Sequence, residues 1–210
     1  MSTQIVGDSL LVISSAGIPR YHSSRMSDSW LIGDRQVAAS DRILDVAGRC
    51  FADKGVARTS IGDIAKAAGC SRPTIYRYFE DRDALRRAFV QREALRLAAK
   101  VLNEVHAIKE PRERLVISII RSIEEVRSNP ILVSWFSNED SHIASRVAGS
   151  SSAIESLAIG IISTENDAER ELRARWIIRI ILSLLTMPGH DAQEEREMIE
   201  KFVVPVVTDP

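Results

Sequence analysis

The sequence predicts an all-α protein in which a small N-terminal helical head precedes a larger helical body. Three observations carry that expectation. Apolar residues recur every three or four positions from Ile43 almost to the C-terminus, and no segment of useful length alternates with the two-residue period of a strand. Helix starts and stops punctuate the chain, with Ser or Asp before a periodic run and Gly or Pro after it. The composition, 45% apolar with 5% aromatic residues, suits an aliphatic core between packed helices. A length of 210 residues is enough for one sizeable domain or for a small head with a larger body.

Taken in order, residues 1–39 lack sustained periodicity and are rich in Ser and Gly, so a disordered extension is expected there. Met26 offers an alternative translation start within it. The first helix is expected from about Asp41 to Lys54, capped by Ser40, with Ile43, Leu44, Ala47 and Phe51 as its inner stripe and Gly55 as its stop. Two short helices follow between Ser60 and Phe79. Asp81 caps a long fourth helix whose expected apolar face is Leu85, Phe89, Leu95, Ala98, Leu102 and Val105. Pro111 opens a fifth, which Asn129-Pro130 ends. Beyond a short segment at 131–136, residues 142–161 are expected to be helical with a break near Gly149–Ser152. Strong helices then run from Glu165 to Met187 and from Ala192 to about Val204.

The segment Ser60–Phe79 is the most informative. Ser60 and Asp63 have a capping-box spacing, and Ile61, Ile64, Ala65 and Ala68 form one small apolar face. Gly69 supplies a left-handed stop. Ser71 can cap the next helix, and Pro73 is tolerated in a first turn that needs no amide donor. Ile75, Tyr78 and Phe79 can face inward, which leaves Arg72, Thr74, Tyr76 and Arg77 for the outer face. Two short helices joined by a tight turn, the second with an exposed N-terminus, have the geometry of a helix-turn-helix that enters a major groove. An ordinary helical hairpin satisfies the same caps.

The flanks decide between them. Ile43-Leu44, Ala47, Phe51, Gly55, Thr59-Ser60, Asp63-Ile64-Ala65, Ala68-Gly69, Ser71, Thr74-Ile75-Tyr76, Tyr78-Phe79, a basic Arg82 and Leu85 form an ordered set. Over residues 41–87 this set closely resembles the DNA-binding domain of the tetracycline-repressor (TetR) family. The resemblance implies a helix-turn-helix DNA-binding head (40–86), a helical ligand-binding and dimerisation body (87–210) and a homodimer. Three positions depart from the usual pattern: Gly62, where glycine costs a helix about 1 kcal/mol relative to Ala, Cys70 in the turn, and Arg82 in place of Lys.

Charge agrees with a nucleic-acid partner. Overall the chain carries a formal −1, but residues 40–92 hold 11 Lys/Arg against 7 Asp/Glu, whereas residues 93–210 hold 14 against 19. A basic head on an acidic body is what phosphate binding needs. The expected DNA contacts are Thr59, Ser60, Ser71, Arg72, Pro73, Thr74, Tyr76, Arg77, Tyr78 and Arg82. Arg72 is placed to read guanine, and Arg82, at a helix N-terminus, to clamp a phosphate. Arg20, Arg25 and Arg35 are too sparse for a minor-groove arm.

In the body, Trp135, Phe136, His142 and Trp176 are the expected pocket lining. Trp176, Ile177, Ile180, Ile181, Leu184 and Phe202 are the expected dimer interface, in two helices per subunit that would form a four-helix bundle. No phosphate loop, nucleophile elbow or Cys/His metal spacing occurs, His22, His106, His142 and His190 are scattered, and the two cysteines make no disulfide framework. No catalysis, cofactor, metal or membrane span is therefore expected, and the expected compartment is the cytoplasm. The expected function is a ligand-responsive repressor, a homodimer released from a palindromic double-stranded operator by a partly apolar small molecule. The alternative is a helical protein-interaction or architectural module without specific DNA readout.

Overall fold

The computed structural model describes residues 28–137, 140–149, 151–160, 162 and 167–208. The chain divides into residues 1–37 and a compact unit formed by residues 38–210. Of the first part, residues 28–37 are described, and they are helical. All regular structure among the described residues is helical, as the periodicity requires.

Helix α1 spans Asp28–Lys54 and so begins well before Asp41. This corrects the expectation of disorder for residues 28–39; residues 1–27 lie outside the described residues. Leu31, Arg35, Gln36, Ala38 and Ala39 are good helix formers with no proline among them. Propensity therefore carries the helix through Ser40, which is not its cap. Helices α2 (Ile61–Ala67) and α3 (Arg72–Tyr76) follow as expected, with α3 ending earlier than Phe79. Gly69 between them has φ +66°, the left-handed value the turn needs.

The long helix α4 (Arg82–Val105) is capped by Asp81, whose carboxylate accepts from the Ala84 N–H at 2.6 Å. Its inward face is Leu85, Phe89, Val101 and Val105, with Arg86 also buried, while Leu95 and Leu102 are exposed. Leu95 lies six residues past Phe89, about 240° round the helix, so the stripe cannot include it. The body continues with α5 (Pro111–Ser128), the short α6 (Pro130–Val133) and a single 3₁₀ turn at Ser134–Phe136. Helices α7 (Ser141–Gly149) and α8 (Ser152–Ile159) break where the Gly-Ser run predicts. Next come α9 (Asp167–Thr186) and α10 (Ala192–Met198). The last runs through a π-helical stretch, Ile199–Val203, into α11 (Val204–Thr208).

Two apolar cores result. One joins α1, α2, α3 and the start of α4 to body residues Trp135, Ile143, Ala144 and Val147. Its centre is aromatic: Phe51 meets Phe89 and Trp135 edge-on, with centroids 5.4 and 5.3 Å apart, and Phe89 stacks on Trp135 at 5.6 Å. Each such pair contributes about 0.5–1.5 kcal/mol beyond area burial. Head and body therefore share one core across their junction. The second core packs Leu115, Ile119 and Ile123 of α5 against Ile177 and Ile178 of α9 and against Ile199, Val203, Val204 and Val207.

Candidate nucleic-acid interface and body cavity

The helix-turn-helix is built by its caps. Ser60 Oγ accepts from the Asp63 N–H at 3.1 Å while Asp63 Oδ2 accepts from the Ser60 N–H at 2.9 Å, a complete capping box. Lys54 reaches from the end of α1 to pair with Asp63 and, with Ser60, holds that carboxyl well below the usual carboxylate range. At α3, Ser71 Oγ accepts from the Thr74 N–H at 3.3 Å, and the two hydroxyls lie 2.9 Å apart. Buried Ile75 and Phe79 anchor α3 to the head core.

With those side chains turned inward, Ser71, Arg72, Pro73, Tyr76 and Arg77 stand in solvent, with Thr74 and Tyr78 half-buried. The Arg77 guanidinium lies 5.2 Å from the Tyr78 ring centroid, a cation–π contact that steadies it on this face. Arg72 folds back over α2: a Cβ built on Gly62 would come within 2.6 Å of Arg72 Nη2. The glycine that weakens α2 thus makes room for a guanidinium. Arg82 is exposed at the start of α4, with Nη1 3.5 Å from the Ala57 carbonyl.

Thr59 is a correction. Its side chain is fully buried, and Oγ1 lies within hydrogen-bond distance of the Cys50 and Gly55 carbonyls, at 3.0 and 2.8 Å. It braces the loop between α1 and α2 and presents no side chain to a phosphate.

The body holds a partly open cavity of about 200 Å³ between α4, α5, α7, α8 and α9. Small residues open it: Ala94 and Ala98 on α4, Ser118 and Ser122 on α5, Ala144 and Ala148 on α7. Trp135 and Phe136 line it as expected; His142 and Trp176 do not. Both of those side chains are exposed, because each lies on the outward arc of its helix. Phe89 adds a third ring, and most of the rest of the wall is aliphatic. Among the described residues its single charged member, Glu93, is held by Arg92 and Arg96 at 2.9 Å each. Ser118 Oγ and Trp135 Nε1, on two residues of the wall, are buried without a hydrogen-bond partner. Alternating small residues four apart on α4 and α7 were the available sequence signal for this cavity.

The expected dimer residues separate into two groups. Ile177 is fully buried and Leu184 nearly so, and Ile181 faces the cavity, so these three belong to the subunit's interior. Ile180 is half-buried. Trp176 and Phe202 are 39% and 68% exposed, together with Leu172 on α9 and Val206 on α11. The Arg173 guanidinium fixes α11 beside α9 by donating to the Val207 carbonyl at 2.5 Å. Among the described residues no cluster of His, Cys, Asp or Glu could hold a metal ion, and no helix is long and apolar enough to cross a membrane.

A capped two-helix unit whose second helix exposes arginine and tyrosine, fused to a cavity-bearing helical body, has the architecture of a helix-turn-helix regulator. Residues 43–89 match the family model described as bacterial regulatory proteins, tetR family. Over 182 residues the chain is 44% identical to the HTH-type transcriptional regulator Rv1255c of Mycobacterium tuberculosis, spanning 85% of this chain and 90% of that one. This chain belongs to the TetR family. Solved structures share its fold. A TetR transcriptional regulator from Rhodococcus sp. RHA1 is 17% identical with a TM-score of 0.63, covering 83% of this chain and 98% of that one. The TetR family repressor AlkX from Dietzia sp., implicated in biodegradation of n-alkanes, is 18% identical with a TM-score of 0.59, covering 81% and 98%.

Proposed function

We propose that this protein is a dimeric repressor that leaves a palindromic operator when a small, neutral, largely apolar molecule occupies the body cavity. The observation that carries the reading is a cavity whose wall residue Trp135 is also part of the head core. An occupant that moves that wall acts directly on the unit that holds α3. The effector must bind the released state more tightly than the DNA-bound one, since only differential affinity shifts the population.

The residues take distinct roles. Arg72 reads a base edge, with Thr74 beside it; Tyr76, Arg77 and Arg82 hold phosphates, and Ser60, Ser71, Pro73 and Tyr78 fix the helices that present them. Two subunits meet through Trp176, Phe202 and their exposed neighbours, which sets the two heads about one helical turn apart or slightly more. Among the described residues the wall contains no Lys, Arg or His, and its one carboxylate is already paired. An anionic head group finds no counter-charge there. A dry cavity of about 150 Å³ accepts a benzene-sized molecule, so this one suits one or two rings, or a short chain, with one oxygen for Ser118 or Trp135.

The test is fluorescence anisotropy on labelled DNA from upstream of the protein's own gene, at two salt concentrations, with and without 2-naphthol or similar neutral compounds. Salt-sensitive, saturable binding that competitor DNA of random sequence fails to displace, and that weakens on ligand addition, is expected. Binding no tighter than to random DNA sinks the repressor reading in favour of a protein-interaction module.

A further inference from the structure

The junction between head and body carries one polar device besides its apolar core. Asp140 is 2% exposed, and both its oxygens are engaged by the head: Oδ2 accepts from the Val56 N–H at 2.7 Å and Oδ1 from the Ala57 N–H at 2.8 Å. These donors lie 84 and 83 residues away in sequence, in the loop between α1 and α2. The loop is shaped to receive the carboxylate. Gly55 has φ +85°, and a Cβ there would stand 3.0 Å from Asp140 Oδ2. Glycine thus supplies both the backbone conformation and the room.

The same loop is gripped from its other side by α4. Buried Arg86 donates through Nη2 to the Val56 carbonyl at 2.5 Å. Thr59 cross-braces the loop internally, and the next residue, Ser60, is the cap of α2. Movement of the loop is therefore delivered to the start of the helix-turn-helix.

Asp140 also belongs to the cavity wall's own scaffold. Its carbonyl accepts from the N–H groups of Ile143 and Ala144, at 2.8 and 3.2 Å, and so begins α7. Ala144 and Ala148 of that helix line the cavity. One turn of helix separates the cavity surface from the carboxylate that holds the head.

We propose that Asp140 is the positioning residue through which occupancy of the cavity sets the orientation of the head. It clasps the Gly55–Ala57 loop when α7 stands as seen here, and releases or shifts it when an occupant displaces α7. A buried carboxylate with two backbone donors has few intermediate positions. Stretched away from both donors it keeps the desolvation cost without the charge-assisted bonds. The clasp is therefore a discrete element that two sites can bias, which is what transmission between them requires. This inference rests on the ligand-responsive reading above.

The test uses the full chain, with two variants, Asp140→Ala and the isosteric Asp140→Asn. Cavity occupancy is imposed in two ways, by 2-naphthol and by Ala148→Leu, which fills the cavity from α7. Amide hydrogen exchange of residues 55–59 and affinity for the upstream DNA are read in each case. In the wild-type background, occupancy is expected to change loop exchange and to shift DNA affinity about 5- to 150-fold, the usual range of such couplings. In both Asp140 variants 2-naphthol is expected to bind within about threefold of wild type, while its effect on loop and DNA falls at least fivefold. Undiminished coupling in the variants overturns the proposal, as does loss of helical circular dichroism by both, which makes Asp140 a fold residue only. If neither 2-naphthol nor Ala148→Leu affects the wild-type head, the ligand-responsive reading itself fails and the clasp with it.

Discussion

Arg72 and Arg82 are both exposed arginines on one head, yet their positions assign them different work. Arg72 opens α3, the helix whose N-terminus is proposed to approach base edges, whereas Arg82 opens α4. Arg72→Ala is expected to cost about 1–3 kcal/mol of operator affinity and to relax discrimination at one position per half-site. Arg82→Ala is expected to weaken binding to all sequences alike and to flatten the salt slope by roughly one unit. Anisotropy titrations on matched and mismatched duplexes at several salt concentrations separate the two. Wild-type behaviour from both variants means that DNA docks on another face. The caps at Ser60 and Ser71 were readable from sequence because capping is a local interaction with fixed spacing. The burial of Thr59 was not, since its oxygen answers to carbonyls on α1 and in the loop, and Asp140 lies more than 80 residues from the amides it holds.

At the scale of elements, the Arg127–Glu195 pair joins the end of α5 to α10. The guanidinium donates twice to the carboxylate, at 2.7 and 2.8 Å, and a third donor, the Gly189 N–H, reaches it at 2.8 Å. Arg127 thereby holds the Glu195 carboxyl below its ordinary value near 4.5. A lowered carboxylate pKa means that the pair's contribution is complete above the unfolded value and is lost as pH falls through the folded one. Glu195→Gln is expected to cost about 2 kcal/mol at neutral pH and to flatten the decline in stability below about pH 4.5; urea titrations at pH 7 and pH 4 check both. A decline as steep as that of the wild type shows that other carboxylates set the acid limit.

Elements were legible where periodicity and punctuation agree, as at α5 and the α7–α8 break. The start of α1 was missed because Ser40 looks like a cap, and only the continuity of good helix formers on both sides overrides it. The face of α4 was misphased because Leu95 and Leu102 are as apolar as the residues that are buried.

For the molecule as a whole, the proposed dimer raises the question of how two heads would be held at one spacing. A helix packed on several sides has no single partner readable from its own pattern. That is why α9 supplied residues to the subunit core, the cavity and the outer face alike. The exposed Trp176 and Phe202 carry the proposed joint. Phe202→Asp is expected to yield a monomer by sedimentation, still helical by circular dichroism, with DNA affinity reduced toward the non-specific level. The aspartate would be desolvated without a partner if the dimer formed. A variant that remains dimeric places the joint elsewhere. Ile177→Asp, by contrast, is expected to unfold the subunit, because that side chain has no surface to present.

The π-helical stretch at Ile199–Val203 has a consequence for chain length. A wider turn accommodates one residue more than an α-helix would over the same rise. It therefore absorbs one residue without turning what lies downstream. Deleting exposed Lys201 would let the segment close into regular α-helix with residues 204–208 kept in phase, whereas inserting one alanine after Val203 would turn them by about 100° and push them on by about 1.5 Å. With that insertion Val204 and Val207 would leave the core, the Val207 carbonyl would move away from Arg173, and Val206 would rotate off the outer face. The insertion is expected to give a folded but monomeric protein with a lower melting temperature, whereas the deletion and Lys201→Ala should both assemble normally. Assembly of this regulator would then depend on the phase of one turn as strictly as on the identity of its residues.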